Sequence, residues 1–343
     1  MKLFLMIFAW FVVGLCFLVN RGECVIPESI LKDIDSVNKD GSYIGVVVPN
    51  SFEMNPLLQS SSFVVNQKRP YLEVSRRRFR IGTLENQRVI IVMTGLSMLN
   101  AGITTQLLLS LFNVKGVLHF GIAGNANTEL EIGDVVIPKF WAHTGLWSWQ
   151  RYGQGPENEL PLESNGDYTR SIGYLKFADY NNDTTTDNLL NNVWYQPEEV
   201  FLIETTPEIR QHIFWVPVDE HYFTLFEKLE GMKLEECINA TSCLPRAPKV
   251  ARVERGVSAN MFIDNGAYRT FLNSKFNVTP IDMESAAVAL ICYQQKIPFL
   301  VIRALSDLAG GGSAISNEAS LFAPLAAQNA VAALVKLVQL LPS

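Results

Sequence analysis

"PFLVIRALSDLAGGG", residues 298–312, decides the fold. The apolar run Phe299 to Ile302 has the composition of a core strand. It leads into Arg303, then Ser306-Asp307, Ala309 and three glycines. A carboxylate therefore stands at the mouth of an apolar strand with flexible backbone behind it. Ligands of open α/β sheets bind at the carboxyl ends of strands. Equally, an Asp before a glycine-rich segment serves as a turn cap. Both readings of Asp307 stand at this point.

Working outward, the same punctuation recurs. "YIGVVVP" (43–49) is β-rich, and "FRIGTLENQRVIIVMTG" (79–95) reads as two strands joined by a turn at Glu85-Asn86. "NAGITTQLLLSLF" (100–112) has helical apolar spacing and leads to "VLHFGIAGN", a strand expected to open into a small-residue loop. "IGDVVIP" (132–138) and "VARVERGVSAN" (250–260) read as strands, and "NGAYRTFLNSKF" (265–276) as a helix. "DMESAAVALICYQQK" (282–296) reads as a helix with Asp282 and Glu284 in its first turn, where negative charge suits the dipole. Residues 316–341 form a long amphipathic pattern. Strands alternating with helices imply an α/β domain with a parallel or mixed sheet. Between about 139 and 250 the pattern lapses. That stretch reads as a surface excursion from one domain, with local helices near 206–213 and 219–230.

With 48% hydrophobic and 18% charged residues, the chain can bury a large core. A net charge of −6 argues against a nucleic-acid partner, which needs a basic surface. The short cluster Arg76-Arg77-Arg78 reads as a solvated strand edge. The histidines His119, His143, His212 and His221 have no metal-ligand spacing, and no metal or cofactor is expected. Lys2 precedes "LFLMIFAWFVVGLCFLV", uncharged until Arg21, which reads as a secretory signal peptide over 1–24 cleaved after Cys24. An uncleaved anchor is the alternative reading. The signal-peptide reading puts the mature chain, 25–343, in the secretory pathway, vacuolar or extracellular, with no membrane in the mature form. Cys237 and Cys243 bracket a short polar loop that a disulfide could staple, and Cys292 reads as a buried free thiol. Sequons occur at Asn182, Asn239 and Asn277, the last weakened by the following Pro280, so glycans are expected on Asn182 or Asn239.

Three carboxylates stand at telling places: Glu53 after the first strand, Glu284 at a helix start and Asp307. Each has a plain explanation, as surface loop, dipole complement and turn cap. Taken with "IGVVVPNSFEMNPLL", "GIAGNANTELEIGDVVI", "SANMFIDN", "DMESAAVAL" and "VIRALSD", however, they resemble the nucleoside phosphorylase superfamily. The chain is most similar to its methylthioadenosine/S-adenosylhomocysteine nucleosidase branch. The leader, the excursion and "HFGIAGNAN" look like the plant bark and vegetative storage proteins of that superfamily. The resemblance covers roughly 43–140 and 250–341. It implies a single-domain three-layer α/β/α fold around a central mixed β-sheet, and a small-molecule nucleoside as partner, with self-association into a homo-oligomer left open.

The resemblance also assigns roles. Asp307 would protonate or hydrogen-bond N7 of a departing purine, which requires a raised pKa. Glu284, with the Met283 backbone, would hold the ribose hydroxyls and favour an oxocarbenium-like state. Phe262 would stack on the base and the Ile263 backbone would read its edge. Gly121, Ile122 and Ala123 would belong to the substrate-binding site, and Glu53 would position and activate water. Two departures matter. The family carries a Ser, or an Arg and a Ser, where this chain has His119 and Ile122, and an Asp where it has Asn260. Phosphate as co-substrate is thus put in question, and two functions remain: cleavage of a purine-type N-glycosidic bond, or a nitrogen-storage protein with a reduced site.

Overall fold

A computed structural model describes residues 26–149, 172–176, 192–311 and 318–342. The leader, its cleavage point and the sequon at Asn182 lie outside the described residues. The first half runs α1 (Glu28–Lys39), β1 (Tyr43–Val48), α2 (Ser51–Gln59), β2 (Phe63–Val65), β3 (Tyr71–Val74), β4 (Arg77–Leu84), β5 (Gln87–Met93), α3 (Met98–Leu111), β6 (Val114–Asn125) and β7 (Val135–His143). The excursion holds β8 (Trp147–Trp149), β9 (Tyr174–Lys176), β10 (Asn192–Tyr195), β11 (Glu198–Leu202), β12 (Ile209–Ile213), β13 (Val216–Pro217), α4 (Glu220–Leu225), β14 (Cys237–Asn239) and β15 (Ser242–Cys243). The chain then forms β16 (Val250–Ser258), α5 (Gly266–Phe276), β17 (Val278–Asp282), α6 (Ser285–Gln294), β18 (Phe299–Leu308) and α7 (Glu318–Leu340).

Strands from both halves share one mixed sheet. In it β1 lies parallel between β5 and β6, and β6 runs parallel to β18. Beyond β6 the sheet closes on itself: β6 pairs β17, β17 pairs β16, β16 pairs β7, and β7 returns to β18. This five-strand ring is a feature that pattern reading did not supply, because it depends on which strand edges meet. Helices α2 and α7 pack together on one flank, and α3 and α6 on another. β1 and β18 are buried almost throughout, as expected for strands covered on both faces. The β4–β5 turn is tight, with Glu85 and Asn86 at φ 49° and 65°, as two-residue hairpins require.

Three local expectations are corrected. Residues 206–213 form no helix: Ile209–Ile213 is a strand paired with β11, because its apolar residues Ile209 and Ile213 fit a hairpin edge. "FGIAGN" is no loop but the end of β6, since its small residues let β17 and β18 pair on both sides. Asp282 and Glu284 precede α6: Asp282 ends β17, and Glu284 is the helix cap residue. The helix expected at 219–230 is present as α4 followed by a 3₁₀ turn.

The excursion is not wholly solvent-facing. Tyr195 is fully buried, stacked on Phe271 at 6.3 Å and edge-on to Phe276 at 5.3 Å, so β10 braces α5. β14 and β15 are joined by the Cys237–Cys243 disulfide, next to exposed Asn239, and Cys292 is a buried free thiol.

Candidate functional site

Glu53, Ile122, Ala123, Phe262, Ile263, Met283, Glu284 and Asp307 line one cavity of about 190 Å³. Each arrives by a different route. Glu53 sits in the first turn of α2, where Asn50 caps the helix by accepting from the Glu53 amide at 3.1 Å. It is not the surface-loop residue that its polarity allowed, being 1% exposed. Asp307 is aimed by a bulge: Leu305 lies opposite Ala123 and Asp307 opposite Gly124, leaving Ser306 as the extra residue. Met261 to Ile263 hang between β16 and α5, and Phe262 stays 69% exposed at the mouth. The glycines after Asp307 allow close approach, since a Cβ on Gly310 would sit 2.4 Å from the Asn265 and Gly266 backbone.

Glu284 is held from an unusual quarter. Its Oε1 accepts from the Ser97 amide at 2.9 Å. Ser97 takes φ 94° and ψ 156°, a region that side-chain-bearing residues rarely adopt. Next to it, the Met98 amide donates to Asn260 Oδ1 at 2.9 Å. The start of α3 is thus clasped by two side chains from the far end of the chain.

Behind the cavity lies a buried polar cluster centred on Arg303, which is 0% exposed. Its Nε donates to Asp282 Oδ2 at 2.7 Å, and Nη2 donates to Ser285 Oγ at 2.9 Å and to His119 Nε2. Its Nη1 lies 4.0 Å from Glu53 Oε1 and has no hydrogen-bond partner, and neither has Glu53 Oε2. Glu53 Oε1 accepts from the Ile122 amide at 2.7 Å. Gly121, expected among the substrate-binding residues, does not line the cavity and instead makes room for this pair. A Cβ there would fall 2.0 Å from Arg303 Nη1 and 2.4 Å from Glu53 Oε1. Asp282 is ringed by donors: Ser258 and Ser285 hydroxyls, the Glu284 and Ser285 amides, and Arg303.

Burial sets the protonation pattern. It pushes the Glu53 carboxyl up to about 7, against the opposing charge of Arg303. Burial, then the neighbouring Asp282, raises Glu284. Burial also raises Asp307, with the Ser306 hydroxyl, 2.6 Å away, pulling the other way. For Asp282 burial again opposes ionisation, but Arg303 and the two hydroxyls prevail and hold its carboxyl below the usual range. His119 is pushed down to about 3, first by burial and then by Arg303, so its imidazole is neutral.

From sequence, Arg303, Asp282, Ser258 and Ser285 had no place in the site, and His119 stood only as a departure from the family's pattern. A signal was there: a guanidinium inside "FLVIRALS" must be paired if that run is a core strand.

Comparisons with known proteins bear on the family and the fold. Bark storage protein A of Populus deltoides is 30% identical over 302 residues, covering 88% of this chain and 89% of that protein. The 5'-methylthioadenosine/S-adenosylhomocysteine nucleosidase of Mycobacterium tuberculosis is 26% identical over 245 residues, 71% of this chain and 78% of its own. Among solved structures, the Helicobacter pylori 5'-methylthioadenosine/S-adenosylhomocysteine nucleosidase with butyl-thio-DADMe-Immucillin-A shares the fold, at TM-score 0.58 and 17% identity, over 88% of this chain and 99% of that one. The sequence profile described as Phosphorylase superfamily matches residues 43–339, and on that match this chain belongs to the phosphorylase superfamily.

Proposed function

We propose that this protein is a nucleosidase that cleaves the N-glycosidic bond of a purine-type nucleoside with water. One observation carries the reading: Asp307, Glu284 and Glu53, from three separate elements, surround a single cavity. Asp307, whose burial favours the protonated carboxyl, delivers a proton to N7 of the departing base. Glu284, anchored through Oε1, accepts from the ribose hydroxyls and offsets positive charge at C1′. Glu53 Oε2, buried and unpartnered, takes a proton from water whose oxygen bonds to C1′ as the C1′–N bond breaks. The nucleosidase relatives support the purine class.

Water is favoured over phosphate for reasons in this chain. His119 is neutral, Ile122 has no hydroxyl, and three of the Arg303 donors are committed to Asp282, Ser285 and His119. Among the described residues, no basic side chain lines the cavity, while four carboxylates do. A phosphate dianion would meet repulsion there.

A nucleoside panel with and without phosphate tests this by base release and by the sugar formed. Phosphate-independent release with free pentose is expected, rising as Glu53 ionises near pH 7. Pentose 1-phosphate would transfer the protein to phosphorolysis. Ile122→Ser should raise the rate roughly tenfold or more, since one oriented hydrogen bond to a charged group contributes about 1.5–3 kcal/mol. No gain in a folded variant would show that this position does not limit the site. A second reading, a storage protein with lost catalysis, is favoured by Ile122 and by the similarity to bark storage protein A. Absence of base release across the whole panel would select it.

The same proposal puts the mature protein in the secretory pathway, vacuolar or extracellular. The leader motif, the Cys237–Cys243 bridge and exposed Asn239 support it. Peptide mapping of protein from its native source should find an N-terminus near Val25 and a glycan on Asn182 or Asn239. An N-terminus at Met1 with both asparagines bare would overturn it.

A further inference from the structure

We propose that His119 is a positioning residue: as a neutral hydrogen-bond acceptor it fixes the Arg303 guanidinium so that Nη1 faces Glu53. The argument is one of donor accounting. Arg303 offers five N–H groups in a rigid planar fork. Asp282 and Ser285 engage Nε, and Ser285 and His119 engage Nη2. That leaves Nη1, which lies in the same plane and is thereby directed at Glu53. Without His119, one edge of the fork would hang on the Asp282 and Ser285 contacts alone, and the group could rotate away.

The tautomer follows from the other ring nitrogen. His119 Nδ1 lies 2.9 Å from the Val47 carbonyl, which can only accept, so Nδ1 carries the proton. Nε2 therefore presents its lone pair to Arg303 Nη2. Protonation would remove that acceptor and set a second cation against the guanidinium. The ring also ties three neighbouring strands together: Val47 on β1, His119 on β6 and Arg303 on β18. Both side chains are fully buried, so bulk water does not reach either contact.

The consequence falls on Glu53. The charged groups around it are Arg303 on β18, Asp282 at the end of β17 and Glu284 before α6. Of these, only Arg303 favours its ionised form. The orientation that His119 imposes thus sets the pH at which Glu53 becomes a base. The effect on turnover rests on the nucleosidase reading, whereas the positioning itself does not.

The experiment follows the Glu53 carboxyl by ¹³C NMR, assigned with Glu53→Gln, in wild type, His119→Leu and His119→Gln. Leu removes the acceptor, and the Gln carbonyl restores one near the position of Nε2. The Glu53 midpoint is expected to move up by roughly one pH unit or more in His119→Leu, as loss of a facing cation implies. In His119→Gln it should return close to the wild-type value. Turnover should follow, with kcat falling in His119→Leu on the acid side and KM changing little. An unchanged midpoint in folded His119→Leu overturns the proposal, as does a shift that Gln fails to reverse. Wild-type ¹⁵N spectra decide independently of any variant: His119 should show protonated Nδ1 and bare Nε2 from pH 5 to 8. A doubly protonated ring in that range overturns the proposal. If wild type releases no base from any nucleoside, the nucleosidase reading falls while the midpoint comparison still judges His119.

Discussion

Asp307→Asn is expected to leave the fold intact and to cut base release by about a hundred- to ten-thousandfold, the usual contribution of a general acid. The amide is nearly isosteric and can still accept from Ser306, whose hydroxyl lies 2.6 Å from Oδ1, so the bulge in β18 should persist. It can donate a hydrogen bond to N7 but cannot deliver a proton. Nucleoside affinity should fall much less, because on the nucleosidase reading Glu284 and Phe262 would still hold ribose and base. Glu284→Gln should differ in kind, weakening binding as well as rate, because it loses the charge beside the ribose. Base release and affinity measured on both variants separate these outcomes. Near-normal turnover in folded Asp307→Asn would reduce Asp307 to a turn cap, the plainer reading of "SDLAGGG".

Arg303→Met should be the most destabilising single change at the site, by about 3–5 kcal/mol, because it strands a buried carboxylate. Asp282 is held ionised against its burial chiefly by Arg303, with two hydroxyls and two backbone amides beside it. Its depressed pKa gives stability that is present above the unfolded carboxylate value near pH 4 and lost as pH falls through the lower folded value. In the variant that sign reverses, since burial without the cation raises the folded pKa. The gap between variant and wild type should therefore be widest at neutral pH and narrow on acidification to about pH 4. Urea midpoints across pH 4–8 measure it. A deficit below about 1 kcal/mol at pH 7 would mean that Asp282 is already protonated in the native protein.

Much of the cavity was legible because its chemistry sits in short local motifs. Asp307 follows an apolar strand, Glu284 precedes a helix, and Met261 to Ile263 join a strand to a helix; each is a statement about neighbours in the chain. The buried cluster was not legible in that way. Asp282 looked like a first-turn carboxylate, His119 like a departure from the family's Ser or Arg, and Gly121 like part of a substrate-lining loop. They meet only because β6 lies parallel to β18, which sets Gly121 opposite Arg303.

What the sequence determined by itself was therefore local: the strand and helix periodicities, the α/β class, the carboxylates at strand and helix ends, and the pairing of Cys237 with Cys243 across a short loop. Only the tertiary structure decided the closed ring of β6, β17, β16, β7 and β18, the bulge that turns Asp307 inward, and the burial of Tyr195 against α5. It alone decided the charge state of the site as well. A carboxylate's pKa depends on how much water it loses and which charges it meets, and both are set by residues distant in the chain. Glu53 and Arg303 stand 250 positions apart in the numbering, yet face each other at 4.0 Å behind a glycine.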